Sequence, residues 1–303
     1  MKRTMILFWG LFLLSSARTA PAPTSPNDTL VVFWNIENFF EPHSPAVHSS
    51  WTNRRFFAKC EGLCKTFMLI AEQYGKMPDL ICLAEVENRT VLNRLLRSTL
   101  LRKAGYSIIH YDSADHRGID CAILCRNATM QPVSSAPKHL YDSTGTIMPT
   151  RDILLAQFDS LSVLVNHHPS KVGGGKSAGR IIAMNRMKDI ADSLLKSGAK
   201  AVLSVGDFND NVWSSDGVLL QNPTPTYGNT LDGTIKYNGE WEKIDGCFIF
   251  GNLHVKEYIF DSPLLLEQDK KFGGLKPRRT FIGPRCNGGL SDHLPVVFVI
   301  SQE

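Results

Sequence analysis

The chain has 303 residues, 43% of them hydrophobic, which is enough to bury a large core in one or two domains, and its formal net charge is +4. Two of the positive charges, Lys2 and Arg3, fall in a segment expected to be removed, so the mature chain is only mildly basic. That balance is weaker than the clustered basic surfaces of dedicated nucleic-acid binders.

The first residues predict a signal peptide over 1–20. Lys2 and Arg3 precede a short apolar run, Met5 to Leu14, and Ser15-Ser16-Ala17 offers small residues for cleavage. The run is shorter than the ~20 apolar residues that span a bilayer, so no stable membrane insertion is expected; the other reading is an uncleaved anchor. An exported protein, periplasmic or extracellular, is the expectation. Residues 21–29 predict a flexible linker and 30–303 a single folded domain. Seven cysteines follow (60, 64, 82, 121, 125, 247 and 286), an odd number that leaves at least one without an intrachain partner. Their spacing fits no zinc motif, and buried free thiols are expected.

In chain order, Leu30 to Asn35 reads as a first strand. Arg54 to Tyr74 carries apolar residues at helical spacing, among them Phe57, Cys64, Phe67, Met68 and Ala71. Asp79 to Ala84 is a buried strand and Thr90 to Lys103 a helix. Tyr106 to Tyr111 and Cys121 to Cys125 are strands, and Ile153 to Phe158 with Ser162 to Asn166 predicts a hairpin turning at Asp159-Ser160. Ala178 to Lys196 is helical and Gly198 stops it. Ala201 to Val205, Asp245 to Phe250 and Val296 to Ile300 are late strands. Ser134 to Met148 and Asn211 to Glu240 read as long surface loops. Strands alternate with helices early and a hairpin appears midway. That pattern predicts an α/β fold in which two mixed sheets pack face to face with helices outside, a four-layer α-β-β-α sandwich.

The polar residues collect where the strands end. Strand one stops at Asn35, followed by Glu37 and Asn38. Others stop at Glu85-Val86-Glu87-Asn88, at Asn166-His167-His168-Pro169-Ser170 and at Asp207-Phe208-Asn209-Asp210, and the last is entered through Ser291-Asp292-His293. Ligand sites of open α/β sheets gather at strand ends. Acids, Asn and His gathered there suit an oxygen-ligated Mg²⁺ or Mn²⁺ and a phosphoryl group. Any one of these motifs is ordinary turn or surface chemistry; five of them, each beside a strand, are not. Adjacent strand residues face opposite ways, so His167 is expected at the site and His168 in the core. The segment SKVGGGKS, 170–177, approaches a phosphate-binding P-loop but has Ser170 where the first glycine belongs. Tyr237 and Trp241 suit either stacking on a base or sugar or loop packing. Arg278 and Arg279 suit either phosphate or a solvated turn.

The ordered set WNIEN, LAEVEN, RGIDCAIL, TRDILLAQF, VNHHPS, GDFND, KIDGCFIF and SDHLPV resembles the endonuclease/exonuclease/phosphatase (DNase I-like) superfamily over roughly residues 30 to 300. The ending, GEW…ID and PRRT…SDHLPV, is similar to secreted bacterial members. The resemblance implies a catalytic domain with Glu85, Asn35 and Asp292 at a Mg²⁺ or Mn²⁺ ion. It implies that Asp207 and Asn209 orient the attacking water and a phosphate oxygen, and that His293, oriented by Asp245, contacts the phosphate. His167 is implied at the leaving oxygen, with Asp120 as its orienting acid. Asn35, Arg151, Ser170 and Asn209 are implied at the substrate, with Lys171 and Arg180 near it in a flexible loop.

The substrate class left by this reading is a phosphate ester, foremost the phosphodiester of DNA or RNA, cut by a monomeric nuclease. A phosphatase or lipid phosphodiesterase on the same fold, of inositol-phosphate or sphingomyelinase type, is the alternative, and a silent binding protein the third. Residues 211–240 lack the aromatic, apolar cluster a lipid substrate would favour, although Trp213 is present.

Overall fold

The computed structural model describes residues 24–42, 44–45, 50–170, 177–210, 231 and 233–301. The signal-peptide segment 1–20, Lys171 and Trp213 lie outside the described residues.

The first sheet contains β1 (Thr29–Phe39), β2 (Leu80–Val86), β3 (Tyr106–His110) and β4 (Asp120–Arg126). The second contains β5 (Ser134–Lys138), β6 (Ile153–Gln157), β7 (Ser162–His167), β8 (Ala201–Asp207) and β9 (Asp245–Gly251). The chain then returns to the first sheet with β10 (His254–Ile259) and β11 (Val296–Ser301). The strand orders are β10-β11-β1-β2-β4-β3 and β9-β8-β7-β6-β5. Among the described residues only β1/β2 and β7/β8 run parallel. Helices α1 (Asn53–Tyr74) and α2 (Arg89–Ser98) cover the first sheet, and α3 (Ser177–Lys196) covers the second.

The layers follow from side-chain alternation. On β1, Leu30, Val32 and Trp34 face the helices while Val31 and Phe33 face the other sheet. On β11, Val297 and Val299 face the helices, and Val296, Phe298 and Ile300 face inward. A strand buried on both faces reads as a near-continuous apolar run. Each fully buried Leu, Val or Phe contributes about 1.5–3 kcal/mol. The architecture is the expected α-β-β-α sandwich.

Helix α1 starts where the Thr52 side chain accepts the Arg55 amide and ends at Gly75 in the left-handed region. Its buried stripe is Phe56, Cys60, Leu63, Phe67, Ile70 and Tyr74. Phe57 and Met68, expected on the apolar face, are 40% and 41% exposed. The helix is apolar over more than half its circumference, so spacing alone admits two stripes and packing selects one. Helix α2 stops at Ser98, short of the expected Lys103. Thr99 adopts extended backbone and caps a separate 3₁₀ turn, Leu100–Lys103.

The segment 134–148 is not all loop, because β5 pairs with β6 from Ser134 to Lys138. Pro137 is tolerated there because β5 lies at the sheet edge. Within 211–240, residues 211–230 lie outside the described residues, whereas Ile235–Tyr237 and Glu240–Glu242 form a hairpin turning through Asn238 and Gly239, both at positive φ. Strand β10 was not expected; Glu257 in its middle interrupts the apolar pattern. Residues 24–28 of the expected linker are docked: Thr24 donates to the Tyr74 carbonyl from its hydroxyl at 2.8 Å. All seven cysteines are free and six are buried. Among the described residues no helix is long and apolar enough to cross a membrane.

Candidate active site

Strand pairing brings the polar strand ends together. Parallel register sets His167 of β7 beside Asp207 of β8, and antiparallel register sets Asp245 of β9 on the other side of Asp207. Gly206 allows this closeness: a Cβ there would lie 2.6 Å from the Cβ of Asn166 on the neighbouring strand. From the first sheet come Asn35 and Glu85, at the ends of the parallel pair β1/β2, and His293, at the entry to β11.

Asp207 is the hub. Asn35 Nδ2 donates to its Oδ2 at 3.1 Å, joining the two sheets. The same oxygen lies 3.6 Å from His167 Nε2 and 3.8 Å from His293 Nε2. Its other oxygen accepts the Asn209 amide at 2.9 Å, and Asn209 Nδ2 donates to the His168 carbonyl at 2.9 Å. Burial pushes Asp207 up to about 7, with the Asp245 charge acting in the same direction.

His293 is held from three directions. Its Nδ1 lies 2.8 and 3.1 Å from the two Asp245 oxygens. Its amide donates to Ser291 Oγ, whose hydroxyl donates to the Asn35 carbonyl. Its own carbonyl accepts Trp34 Nε1 at 2.9 Å. Thr234 Oγ1 donates to Asp245. Burial works against a charged imidazole, but Asp245 and Asp207 outweigh it and hold His293 well above the ordinary histidine value.

His167 is the opposite case. Burial, then the charges of Arg151, Arg117 and His293, drive it well below the ordinary value, so its ring is neutral. Its Nε2 faces Asp207 and, at 3.9 Å, Glu85 Oε1. Its Nδ1 is buried without a hydrogen-bond partner. Asp120, expected to orient it, does not: its Oδ1 accepts the amide and hydroxyl of Ser113, and its Oδ2 lies 3.4 Å from His110 Nε2. The acid at the start of β4 is spent on closing the 111–119 segment.

Arg151 also differs from expectation. It is buried, with Nε and Nη2 donating to the carbonyls of His167 and His168 at 3.2 and 2.7 Å, and Nη1 to Asp115 at 3.1 Å. Two of its guanidinium nitrogens hold the end of β7 and the third holds Asp115, so the buried side chain acts as a brace for that strand end. His168 is a core residue as expected, its ring edge-on to Phe208 at 5.1 Å between centroids, and burial pushes it down to about 3. Ser170 is exposed just beyond β7. Arg180 pairs with Asp210 at 3.3 Å. Trp241 packs against the helix-side core, Tyr237 is 61% exposed, and Arg279 donates to Asp292 at 2.6 Å.

Glu85 adopts φ 64°, a left-handed conformation that costs a non-glycine residue about 1–3 kcal/mol and marks functional sites. Its Oε2 accepts the Asn38 amide at 2.8 Å, and its Oε1 faces His167 and, at 3.6 Å, Arg117 Nη2. Glu85 Oε1, making no hydrogen bond among the described residues and reaching the same His167 ring as Asp207 Oδ2, is the kind of oxygen a hard divalent cation takes. Among the described residues, Asp207, Asp245 and His293 also place one donor atom each within 4.8 Å of the others.

Three residues of the site were given no role in the sequence. Glu37 accepts the Thr280 and Phe281 amides and tethers the segment leading to Asp292 and His293; burial and then Asp292 push it up to about 7. Lys59 donates from the buried face of α1 to the Glu37 carbonyl at 2.6 Å and to Thr280 Oγ1 at 2.7 Å, and burial pushes it down to about 8. A lysine between Phe56 and Cys60, in the buried stripe, was the available signal. Arg117 opens the RGID motif that ends in Asp120.

The comparisons with known proteins bear on the fold and the family. Among curated proteins none matches the chain in sequence. TDP2 from Caenorhabditis elegans is similar in fold, with 15% identity, a TM-score of 0.57, and coverage of 91% of this chain and 74% of that one. An endonuclease/exonuclease/phosphatase from Bacteroides vulgatus is similar at 17% identity and TM-score 0.57, covering 91% and 99%. TDP2 from D. rerio, complexed with single strand DNA product, is similar at 15% identity and TM-score 0.50, covering 91% and 99%. The profile of the Endonuclease/Exonuclease/phosphatase family matches residues 30–302, nearly the whole described chain. With that match and the two-sheet site, the chain belongs to the endonuclease/exonuclease/phosphatase family, whose enzymes hydrolyse phosphoester bonds.

Proposed function

We propose that the protein is an exported, divalent-metal-dependent phosphodiesterase acting on DNA or RNA. The observation that carries the reading is the His293–Asp245 pair, 2.8 Å apart, set across the cleft from a neutral His167 with Asp207 between them. A binding protein has no use for one charged and one neutral imidazole around a buried acid; a hydrolase has. The N-terminal pattern Lys2, Arg3 and Met5 to Leu14 supports export. The D. rerio relative binds single-stranded DNA product, which supports a nucleic-acid substrate over an inositol phosphate.

Glu85, Asn35 and Asp292 would hold a Mg²⁺ or Mn²⁺ ion. Such an ion supplies positive charge to the phosphoryl oxygens as negative charge builds on them. The chain's own groups do the rest. Asn209 and Asp207 are joined by one hydrogen bond and together orient the attacking water. His293, charged and fixed by Asp245, donates from Nε2 to a phosphoryl oxygen. His167 is neutral and buried, and donates a hydrogen bond to the leaving oxygen.

The test is hydrolysis of plasmid DNA, single-stranded RNA, bis-p-nitrophenyl phosphate and an inositol phosphate by residues 21–303, with Mg²⁺ or Mn²⁺ and then excess EDTA. EDTA-sensitive cutting of DNA or RNA is expected. Turnover of the inositol phosphate alone would replace the substrate assignment with a phosphatase.

A further inference from the structure

We propose that Arg117 is the substrate-binding guanidinium of this site and takes a phosphate oxygen of the ester substrate, leaving Glu85 as it does so. The proposal rests on the phosphoesterase reading for its ligand, and on geometry for its residue.

The base of Arg117 is fixed. Its amide donates to Asp115 Oδ1 at 2.9 Å, and the Gly118 amide donates to the Asp115 carbonyl at 3.0 Å. Gly118 completes the turn at φ 66°, a conformation that glycine adopts without penalty. Asp115 is buried, and its other oxygen accepts Arg151, which in turn grips the carbonyls of His167 and His168. The segment carrying Arg117 is therefore bolted to the strand end that carries His167.

The head of Arg117 is uncommitted. Its Nη2 is 3.6 Å from Glu85 Oε1 and its Nε 4.0 Å from Asp115 Oδ1, both beyond hydrogen-bonding distance, and its side chain is 40% exposed. It lies close enough to His167 to be one of the charges that keep that ring neutral. Other described arginines near the site already have partners, Arg180 pairing with Asp210 at 3.3 Å. Arg151 is spent on two carbonyls and Asp115, and Arg279 donates to Asp292 at 2.6 Å. Arg117, by contrast, makes no guanidinium hydrogen bond among the described residues, and it fronts the Glu85–His167 side. A guanidinium offers five donors in a plane that matches two phosphate oxygens.

A second consequence separates this role from a structural one. Arg117 and any cation bound at Glu85 repel each other, so Arg117 weakens metal binding in the free protein and recovers that cost on the substrate phosphate. Replacing Arg117 should therefore tighten metal binding while weakening phosphate binding. A residue that merely held the loop together would weaken both.

The experiment uses residues 21–303 as wild type, Arg117→Gln and Arg117→Lys. Mn²⁺ affinity is measured by calorimetry, as is inorganic phosphate affinity at saturating Mn²⁺, and KM and kcat are measured on bis-p-nitrophenyl phosphate. For Arg117→Gln, phosphate binding and KM should each weaken about tenfold with kcat changed much less. Mn²⁺ should bind a few times more tightly, and Arg117→Lys should recover part of the phosphate affinity. Unchanged phosphate binding in Arg117→Gln, or weaker Mn²⁺ binding, overturns the proposal whatever the enzyme hydrolyses. Phosphate binding that depends on Arg117 in a protein that hydrolyses nothing would uphold it and count against the phosphodiesterase reading instead.

Discussion

Asp245→Asn removes one charge and no volume, and its effect can be worked out from the structure. Both Asp245 oxygens lie within 3.1 Å of His293 Nδ1, Asp245 is 0% exposed and His293 8% exposed. A hydrogen bond to a charged group is worth about 1.5–3 kcal/mol net, and leaving a buried charge without its partner costs about 3–5 kcal/mol. Asn keeps an oxygen that can accept the proton of a neutral imidazole, so the loss falls on the charged form of His293 alone. The native protein binds that proton more tightly than the unfolded chain, so its stabilisation is fully present below the unfolded histidine value and is lost as pH rises through the folded one. Asp245→Asn should thus be least stable relative to wild type at acid pH, by about 3 kcal/mol, a fall of about 6–12 °C in Tm, and the difference should shrink as pH rises. The His293 Cε1 proton, followed by NMR in the metal-free protein, should titrate at lower pH in the variant. Turnover should fall about 10²–10⁴-fold. An unshifted His293 titration together with kcat within threefold of wild type would refute the assignment of this pair.

Glu85→Gln should abolish turnover and Mn²⁺ binding while leaving Tm within about 2 °C; retained activity would remove Glu85 from the site. His167→Ala should slow cleavage of a natural phosphodiester at least about 10²-fold, yet matter much less for bis-p-nitrophenyl phosphate, whose leaving phenolate carries its charge without a hydrogen bond; equal losses on both substrates would take His167 off the leaving oxygen. Glu257 is buried between the sheets with Cys247 Sγ 3.9 Å from one oxygen, its other oxygen is unpartnered, and burial pushes it up to about 7. A raised acid favours the protonated native form, so stability falls as pH rises from the unfolded value near 4.5 through about 7, by up to about 3 kcal/mol. Denaturant titrations of Glu257→Gln should lose that slope and show a variant more stable than wild type at pH 8; parallel pH profiles would show the assigned cause to be wrong.

Much of this was readable in one dimension. Val31 to Trp34 or Leu203 to Val205 can only be buried on both faces, which requires layers above and below. A polar cluster directly after such a run, as at Asp207-Phe208-Asn209 or Asn166-His167, lands at a sheet edge in any fold of this type. The reading went astray where a residue's partner lies far along the chain. Arg151 and Asp120 both stand beside strands in the right place, but one is claimed by the carbonyls of residues 167 and 168 and the other by Ser113. Spacing says that a side chain is near a site and not which way its charge is directed.

Local order along the chain was sufficient for the layers, the strand ends and the set of acids, amides and histidines at them, because burial periodicity and turn chemistry are short-range. The tertiary structure alone decided which stripe of α1 packs inward, that Glu37 and Lys59 tie the Thr280 segment to β1, and that Arg151 and Arg279 meet Asp115 and Asp292 while the Arg117 guanidinium stands 3.6 Å from Glu85. Those outcomes are set by competition between groups distant in sequence, Glu37 with Thr280 and Asp115 with Arg151 among them. The strength of each contact depends on burial and distance, which exist only once the two sheets have closed on each other.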